Sequence, residues 1–386
     1  MGQPRPLDGL TVFEFGHSVA APYAGLILSD LGARVIKVEN PEGGDYARGW
    51  GPPFWRDSSS VFHSLNRGKE SVSVNFSDPV ELSALRSRIL AEADVVIQNL
   101  RPGVLARHGL DPGQLRAEKP ELIWCDITAF GSSGPLASHP GYDPLVQALS
   151  GLMGVTGEGG GRPPVRVGVP IMDMGAAMWA VIGLLSALIT RRSRGEGAIV
   201  GTSLYETGLA WMTIHLAGYC ASGEIRRPYG SGVAEIVPYQ AFQTRDGWLM
   251  IAAGNDNLFQ RLCRAIARED LAADQRYATN AGRVTNREAL VEAIAETVRT
   301  YDTASLAAKL DLAGVPNAPL LSVDKVVVHS QTSAVGMLAP VDGDTLPLAG
   351  IPVTFNGDRP RNQRPAPALG EHNDMLRYSG RESHAS

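Results

Sequence analysis

Residues 10–39 read LTVFEFGHSVAAPYAGLILSDLGARVIKVE, and this stretch decides the fold class. Leu10–Phe15 (LTVFEF) is a short apolar run of strand length, rich in β-formers. Ala20–Leu31 follows with apolar residues at helical spacing, and Ala33–Glu39 (ARVIKVE) is a second strand. Strand, helix and strand in some thirty residues make a βαβ unit, which implies two parallel strands joined by a crossover helix.

Working outward, the same alternation continues. Asn66-Arg67-Gly68-Lys69 leads into a strand at Ser71–Phe76. Asp78 with Glu81 has capping-box spacing and opens a helix to Ala91. Ala93–Leu100 and Glu121–Phe130 read as further strands, Tyr142–Met153 as a helix, and Gly197–Ser203 as a last strand. The pattern predicts a doubly wound α/β sheet with helices on both faces. Leu204–Ala221 reads as one long helix leading away. Tyr239–Thr244 and Trp248–Ala253 then flank Arg245-Asp246-Gly247, a hairpin signal. Thr285 with Glu288 caps a strongly periodic helix, and Leu306–Leu312 is another. Four segments follow: a large domain at 1–203, a linker helix and loop at 204–232, and a small α+β domain at 233–321. The fourth, at 322–386, is Pro/Gly-rich with few periodic elements and is expected to wrap over other parts of the molecule.

The chain has 386 residues, 44% hydrophobic and 19% charged, with a net charge of −5. That balance is ordinary for a soluble globular protein and argues against nucleic acid or an anionic membrane as partner. Cys125, Cys220 and Cys263 are odd in number and far apart, so no disulfide framework or zinc spacing follows and a reducing cytoplasm is expected. The start MGQPRPLDGL lacks a signal-peptide apolar region. His17, His63, His108, His139, His215, His329, His372 and His384 show no paired-ligand spacing, so no metal site is expected.

The first βα turn, Gly16-His17-Ser18-Val19-Ala20, tests two chemistries and satisfies neither. It has one glycine where the dinucleotide fingerprint has three, and Glu39 is then a strand-end acid in place of a ribose ligand. It nearly matches a nucleophile elbow, but on the first strand Ser18 reads as a helix N-cap. The glycines at 157–161 lack the GK[ST] of a P-loop and read as a plain loop. Residues 165–192, VRVGVPIMDMGAAMWAVIGLLSALITRR, carry one charge among the apolar and small residues from Val167 to Thr190, Asp173. The segment falls short of a membrane span and predicts a buried helix with Asp173 at its start. There the carboxylate either caps orphan N–H groups or, kept ionised by the same forces, serves as a nucleophile. Local sequence leaves both open.

Several stretches together resemble the class III CoA-transferase family, which includes the formyl-CoA and carnitine CoA-transferases. They are Pro6–Leu10, Leu28–Glu39, Asn66–Lys69, Ala93–Asn99 and Arg101-Pro102-Gly103. Gly141-Tyr142-Asp143 with Ser150–Met153 and the closing Ala366–His372 continue the match, which runs in order over nearly the whole chain. Trp50–Phe54, Pro164-Val165-Arg166, Ile236–Phe242 and Ala252–Asn255 look most like the dicarboxylate branch typified by succinyl-CoA:glutarate CoA-transferases. α-Methylacyl-CoA racemases, the alternative on this scaffold, carry His where Tyr142 stands. A CoA-binding protein without turnover is a further alternative. Formyl-type members carry Gln in place of Val19 and an adenine-stacking Arg in place of Asn40.

The resemblance implies a Rossmann-like large domain built from both chain ends, so that 322–386 returns to it, a smaller domain, and an interlocked homodimer. It makes Asp173 the nucleophile, through an aspartyl anhydride and an aspartyl–CoA thioester, with Tyr142 and Asp143 lining the reacting centre. The CoA thioester is a substrate, and no permanently bound cofactor is implied. CoA contacts carry over to Val19, Ala20, Asn40, Val74, Asn75, Asn99, Leu100, Arg101 and Arg107, the two arginines being the phosphate partners. Backbone N–H groups at the Asp173 helix start or at Val19–Ala20 are the candidate oxyanion donors. Arg166 is the candidate partner of the acceptor's distal carboxylate, and Gly230 and Gly232 lie where the family has a glycine flap.

Overall fold

The computed structural model describes residues 5–377, so the ends of the segments 1–203 and 322–386 lie outside the described residues. The chain folds into two compact units. The first holds Met1–Ser150, Gly168–Thr213 and Ser330–Ser386; the second holds Gly151–Val167 and Ile214–His329. Residues 151–167, which the sequence reading keeps within 1–203, thus belong to the second unit.

The first unit is built on a six-stranded parallel sheet. Its strands are β1 (Thr11–Phe15), β2 (Arg34–Glu39), β3 (Glu70–Ser73), β4 (Val95–Gln98), β5 (Ile123–Thr128) and β6 (Ile199–Ser203). They lie in the order β3-β2-β1-β4-β5-β6. The order reverses direction between β1 and β4, the place where an open α/β sheet leaves a crevice at its carboxyl edge. On one face Phe13, Phe15, Ile36, Val72 and Val96 pack with Leu85 and Ile89 of α2 (Pro79–Glu92). The other face carries α1 (Ala20–Asp30) and α4 (Ile171–Arg194), which pack on each other. The βαβ reading and the doubly wound sheet are both present.

Two helices of the reading divide. Tyr142–Met153 becomes α3 (Asp143–Leu149) and a short turn of helix at Leu152–Val155, because Gly151 sits at φ 86°, outside right-handed helix. Leu204–Ala221 becomes α5 (Leu204–Trp211) and α6 (Thr213–Ser222), with Met212 capping the first. The prediction that the Asp173 stretch is too short to span a membrane also fails on length and composition. That helix has 24 residues and packs one face against α1, β5 and β6. Met178, Trp179, Ile182 and Ile189 are exposed, so the helix expected to be buried is buried on one side only.

The second unit holds a three-stranded antiparallel sheet, β7 (Tyr239–Gln243), β8 (Trp248–Ala252) and β9 (Asn317–Pro319), in the order β9-β8-β7. The expected hairpin closes with Thr244 N–H on Gly247 C=O at 3.0 Å. Leu249 and Ile251 of this sheet share a core with Phe259, Leu290, Ile294, Leu306 and Leu310. Thr285 does not cap the helix Arg287–Val298; it ends the preceding short helix and donates to Ala281 C=O, leaving Asn286 at the N-cap.

The C-terminal segment of the first unit runs along the edge strand β3. His372 N–H bonds Ser71 C=O at 2.9 Å, and Asn373 bonds both the N–H and the hydroxyl of Ser73. Further back, Asn362 donates to Ser29 Oγ and Gly68 C=O beside the buried Arg67–Asp30 pair. The sheet edge is thereby covered, as an otherwise unpaired strand requires.

Candidate active site

The site begins with a buried charge cluster under the β1–α1 turn. Glu14 on β1 faces α1 and takes Lys37 Nζ at 2.9 Å and Lys69 Nζ at 2.7 Å; none of these side chains is exposed. Gly25 makes room for it, since a Cβ there would lie 2.0 Å from Glu14 Oε2. Lys37 also pairs with Asp45 at 2.8 Å and donates to Gly16 C=O at 2.7 Å. Burial lowers the ammonium pKa of both lysines, but around Lys37 the carboxylates of Glu14, Asp45 and Glu39 prevail and hold it well above its ordinary value. For Lys69 burial prevails, and its pKa falls to about 8. Removing one member of such a cluster strands the rest in a low-dielectric interior, so it behaves as a unit.

This cluster shapes the turn. Asp45 Oδ1 accepts from Ser18 N–H at 2.8 Å, and Ser18 sits at φ 69°. From the other side Asn99, after β4, clamps His17: its Oδ1 accepts from His17 N–H at 3.1 Å and its Nδ2 donates to His17 C=O at 3.0 Å. Ser18 is therefore not the N-cap, a place taken by Val19 without a side-chain bond. Glu39 is no ribose ligand either. It accepts from Arg48 at 2.7 Å and from Ser71 Oγ at 2.6 Å, and these partners hold its carboxyl below the usual range although burial opposes them.

Asp173 lies at the third position of α4, whose N-cap is Pro170 with no side-chain bond. The capping reading of Asp173 is overturned. The carboxylate that caps this helix is Asp143, whose Oδ2 accepts from Met172 N–H at 2.7 Å and Asp173 N–H at 3.3 Å. Asp143 is buried at the start of α3, and its Oδ1 accepts from Gln147 at 2.6 Å. It stands behind Asp173 and does not line the cavity in front of it, contrary to the expectation from the resemblance. Ile171 and Met174 N–H are paired as well, with Val169 and Pro170 C=O. The helix start has no N–H left for an oxyanion, which removes one of the two expected donor sets. At α1, by contrast, the Val19, Ala20 and Ala21 N–H groups find no partner among the described residues. First-turn N–H groups have no intrahelical acceptor, so these are open donors.

The ionisation expectation reverses too. The Asp173 carboxylate has no hydrogen-bond donor among the described residues, and burial together with the Asp143 charge raises its pKa from 3.8 to about 7. Desolvation and a like charge both disfavour the anion.

Asp173 opens on a cavity of about 350 Å³ lined also by His17, Ser18, Ala20, Asn99, Leu100, Arg101 and Tyr142. A second cavity, of about 380 Å³, holds Asn40, Val74 and Asn75. The two share His17, Tyr46, Leu100 and Val104, so they form one groove along the carboxyl ends of β1, β2, β3 and β4. Val19 is buried at the turn, and Arg107 is exposed on the short helix Val104–Arg107, lining neither cavity. Arg166, Gly230 and Gly232 belong to the second unit. Arg166 is exposed and donates to Val167 C=O; Gly230 N–H bonds Gly157 C=O at 2.8 Å, and Gly232 N–H bonds Tyr229 C=O at 2.9 Å. Among the described residues no group of His, Cys, Asp and Glu is arranged to hold a metal ion.

Sequence reading missed the supporting shell: Glu14, Lys37, Asp45 and Lys69. A signal was present, for Lys37 stands between Ile36 and Val38 in a strand predicted to be buried, where a charge needs a partner.

Comparison with known proteins agrees with this architecture. The family described as CoA-transferase family III matches residues 7–373. The succinate–glutarate CoA-transferase of Agrobacterium fabrum is 38% identical over 376 residues, covering 95% of this chain and 94% of the relative. An acetyl-CoA:oxalate CoA-transferase of Acetobacter aceti is 37% identical, covering 96% and 95%. A crystal structure of a CaiB/BaiF family protein from Brucella suis superposes with a TM-score of 0.89 at 38% identity, over 97% of this chain and 99% of the other.

Proposed function

We propose, from the premise that the chain belongs to CoA-transferase family III, that it moves CoA from an acyl-CoA such as succinyl-CoA to a small dicarboxylic acid. The observation that carries this reading is Asp173: a carboxylate with no hydrogen-bond donor among the described residues, at the start of a helix packed on the sheet, facing a cavity at the switch point. The relatives named for succinate, glutarate and oxalate support the choice of a dicarboxylate.

In this mechanism the Asp173 carboxylate adds to the thioester carbonyl. Collapse breaks the C–S bond and gives an acyl–aspartyl anhydride and the CoA thiolate. The thiolate then attacks the Asp173 acyl carbon, releasing the donor acid and leaving an aspartyl–CoA thioester. The acceptor carboxylate runs the two steps in reverse. A carboxylate that water and protein solvate poorly is raised in energy as the anion, which favours its attack. The open N–H groups of Val19–Ala21 suit the oxyanions. In this reading CoA runs along the second cavity, which Val74, Asn75 and Asn40 line, and Arg101, which lines the first, is the partner for its phosphates.

A panel of acyl-CoA donors and carboxylic acids, read by mass spectrometry with Asp173→Ala alongside, tests the reading. Exchange of CoA between acids in the wild type, lost in Asp173→Ala, with CoA thioester mass trapped on the wild-type peptide, is expected. Deuterium wash-in at the α-carbon without exchange means racemisation and refutes it.

A further inference from the structure

Four residues line both cavities of the groove, and His17 is one of the two among them with a polar side-chain group. Its backbone is held on both sides by Asn99, and its ring meets Tyr46 edge-on at 5.0 Å. Its Nδ1 lies 3.0 Å from Ser18 Oγ, which has no other partner among the described residues. Burial lowers the imidazole pKa below its ordinary value, and the Lys37 charge adds to this against the opposite pull of Asp45, which favours the neutral ring. A neutral imidazole whose Nδ1 accepts from a hydroxyl carries its proton on Nε2, and His17 lines both cavities.

We infer that Ser18 O–H donates to His17 Nδ1, and that the Nε2–H so fixed donates a hydrogen bond to the CoA sulfur as it leaves as a thiolate. The inference rests on the transferase reading above, which puts the acyl group before Asp173 and the cofactor in the neighbouring cavity. The electrons balance without a proton transfer. Asp173 oxygen bonds the acyl carbon, the C–S pair goes to sulfur, and His17 stabilises that charge until the thiolate attacks the anhydride at the Asp173 acyl carbon. His17 is then a catalytic residue touching the leaving atom, and Ser18 a positioning residue acting through it. A pre-set donor at a developing anion is worth about 10²–10³ in rate.

The test uses the full chain, succinyl-CoA and free CoA. His17→Ala is expected to lower kcat about 10²-fold while KM for succinyl-CoA changes about threefold or less. The thiolate absorbance of enzyme-bound CoA is the readout that a structural role leaves alone. His17→Ala is expected to move that titration about one pH unit upward. His17→Gln, which keeps an N–H donor, is expected to recover part of both losses. Ser18→Gly suits the positive φ but removes the hydroxyl, and is expected to lower kcat several-fold through the freed tautomer. An unchanged thiol titration in both His17 variants, or a kcat within threefold of wild type, overturns the inference. If Asp173→Ala still transfers CoA, the transferase mechanism fails instead, and the thiol titration continues to report on His17 by itself.

Discussion

Asp173→Asn replaces the raised carboxyl with a neutral group of the same shape, and the structure predicts that the protein becomes more stable as a result. The folded value near 7 lies above the unfolded 3.8, so the unfolded chain releases this proton first. The group's contribution is therefore fully present below about pH 4 and lost as pH rises through 7. At about 1.4 kcal/mol per pH unit the ceiling is about 4 kcal/mol. The carboxylate faces an open cavity, so solvent screening is taken to halve this, to about 2 kcal/mol at pH 8 and about 1 at pH 5. That growth of about 1 kcal/mol corresponds to about 2–4 °C in Tm for a unit of this size. Scanning calorimetry of ligand-free wild type and Asp173→Asn at pH 5, 6, 7 and 8 reads it. The variant should melt higher, with the gap widening over that range. A gap that does not change with pH, or a wild type that gains on the variant as pH rises, would refute the claim that burial and Asp143 hold the carboxyl up.

The same carboxyl sets the pH–rate profile: kcat/KM for the acyl-CoA donor should rise with pH and level off above about 7, as Asp173 loses its proton. Asp143→Asn keeps an acceptor for Met172 N–H but removes the like charge, so the rise should move to lower pH; stopped-flow rates across pH 5–9 check both. Glu14→Ala leaves Lys37 and Lys69 facing each other in the interior, and urea titration should show a loss of about 3–5 kcal/mol. Asn362→Ala removes two buried hydrogen bonds that tie the C-terminal segment to the large unit. A loss of about 1–3 kcal/mol is expected, with faster proteolysis of that segment, read by limited digestion and mass spectrometry.

The sequence by itself determined the class of fold, because period and turn chemistry are local. The βαβ opening, the strands after Gly68 and Ala93, and the hairpin around Asp246 all follow from residues within a turn or two of each other. It also singled out Asp173, a lone charge in an apolar helix. What it missed lies where distant segments meet. A carboxylate near a helix start fits a cap as well as a nucleophile, yet the cap comes from Asp143, thirty residues before Asp173. No local pattern shows which of two acids takes the N–H groups. The choice depends on how α3 packs against α4, and it reverses the charge argument: the acid that loses the donors is the one pushed toward neutrality. Likewise no local pattern shows that Asn99, which lines the cavity, also clamps His17 through both ends of its amide. Composition and spacing single out Asp173; only packing decides its proton affinity and which backbone donors remain open nearby.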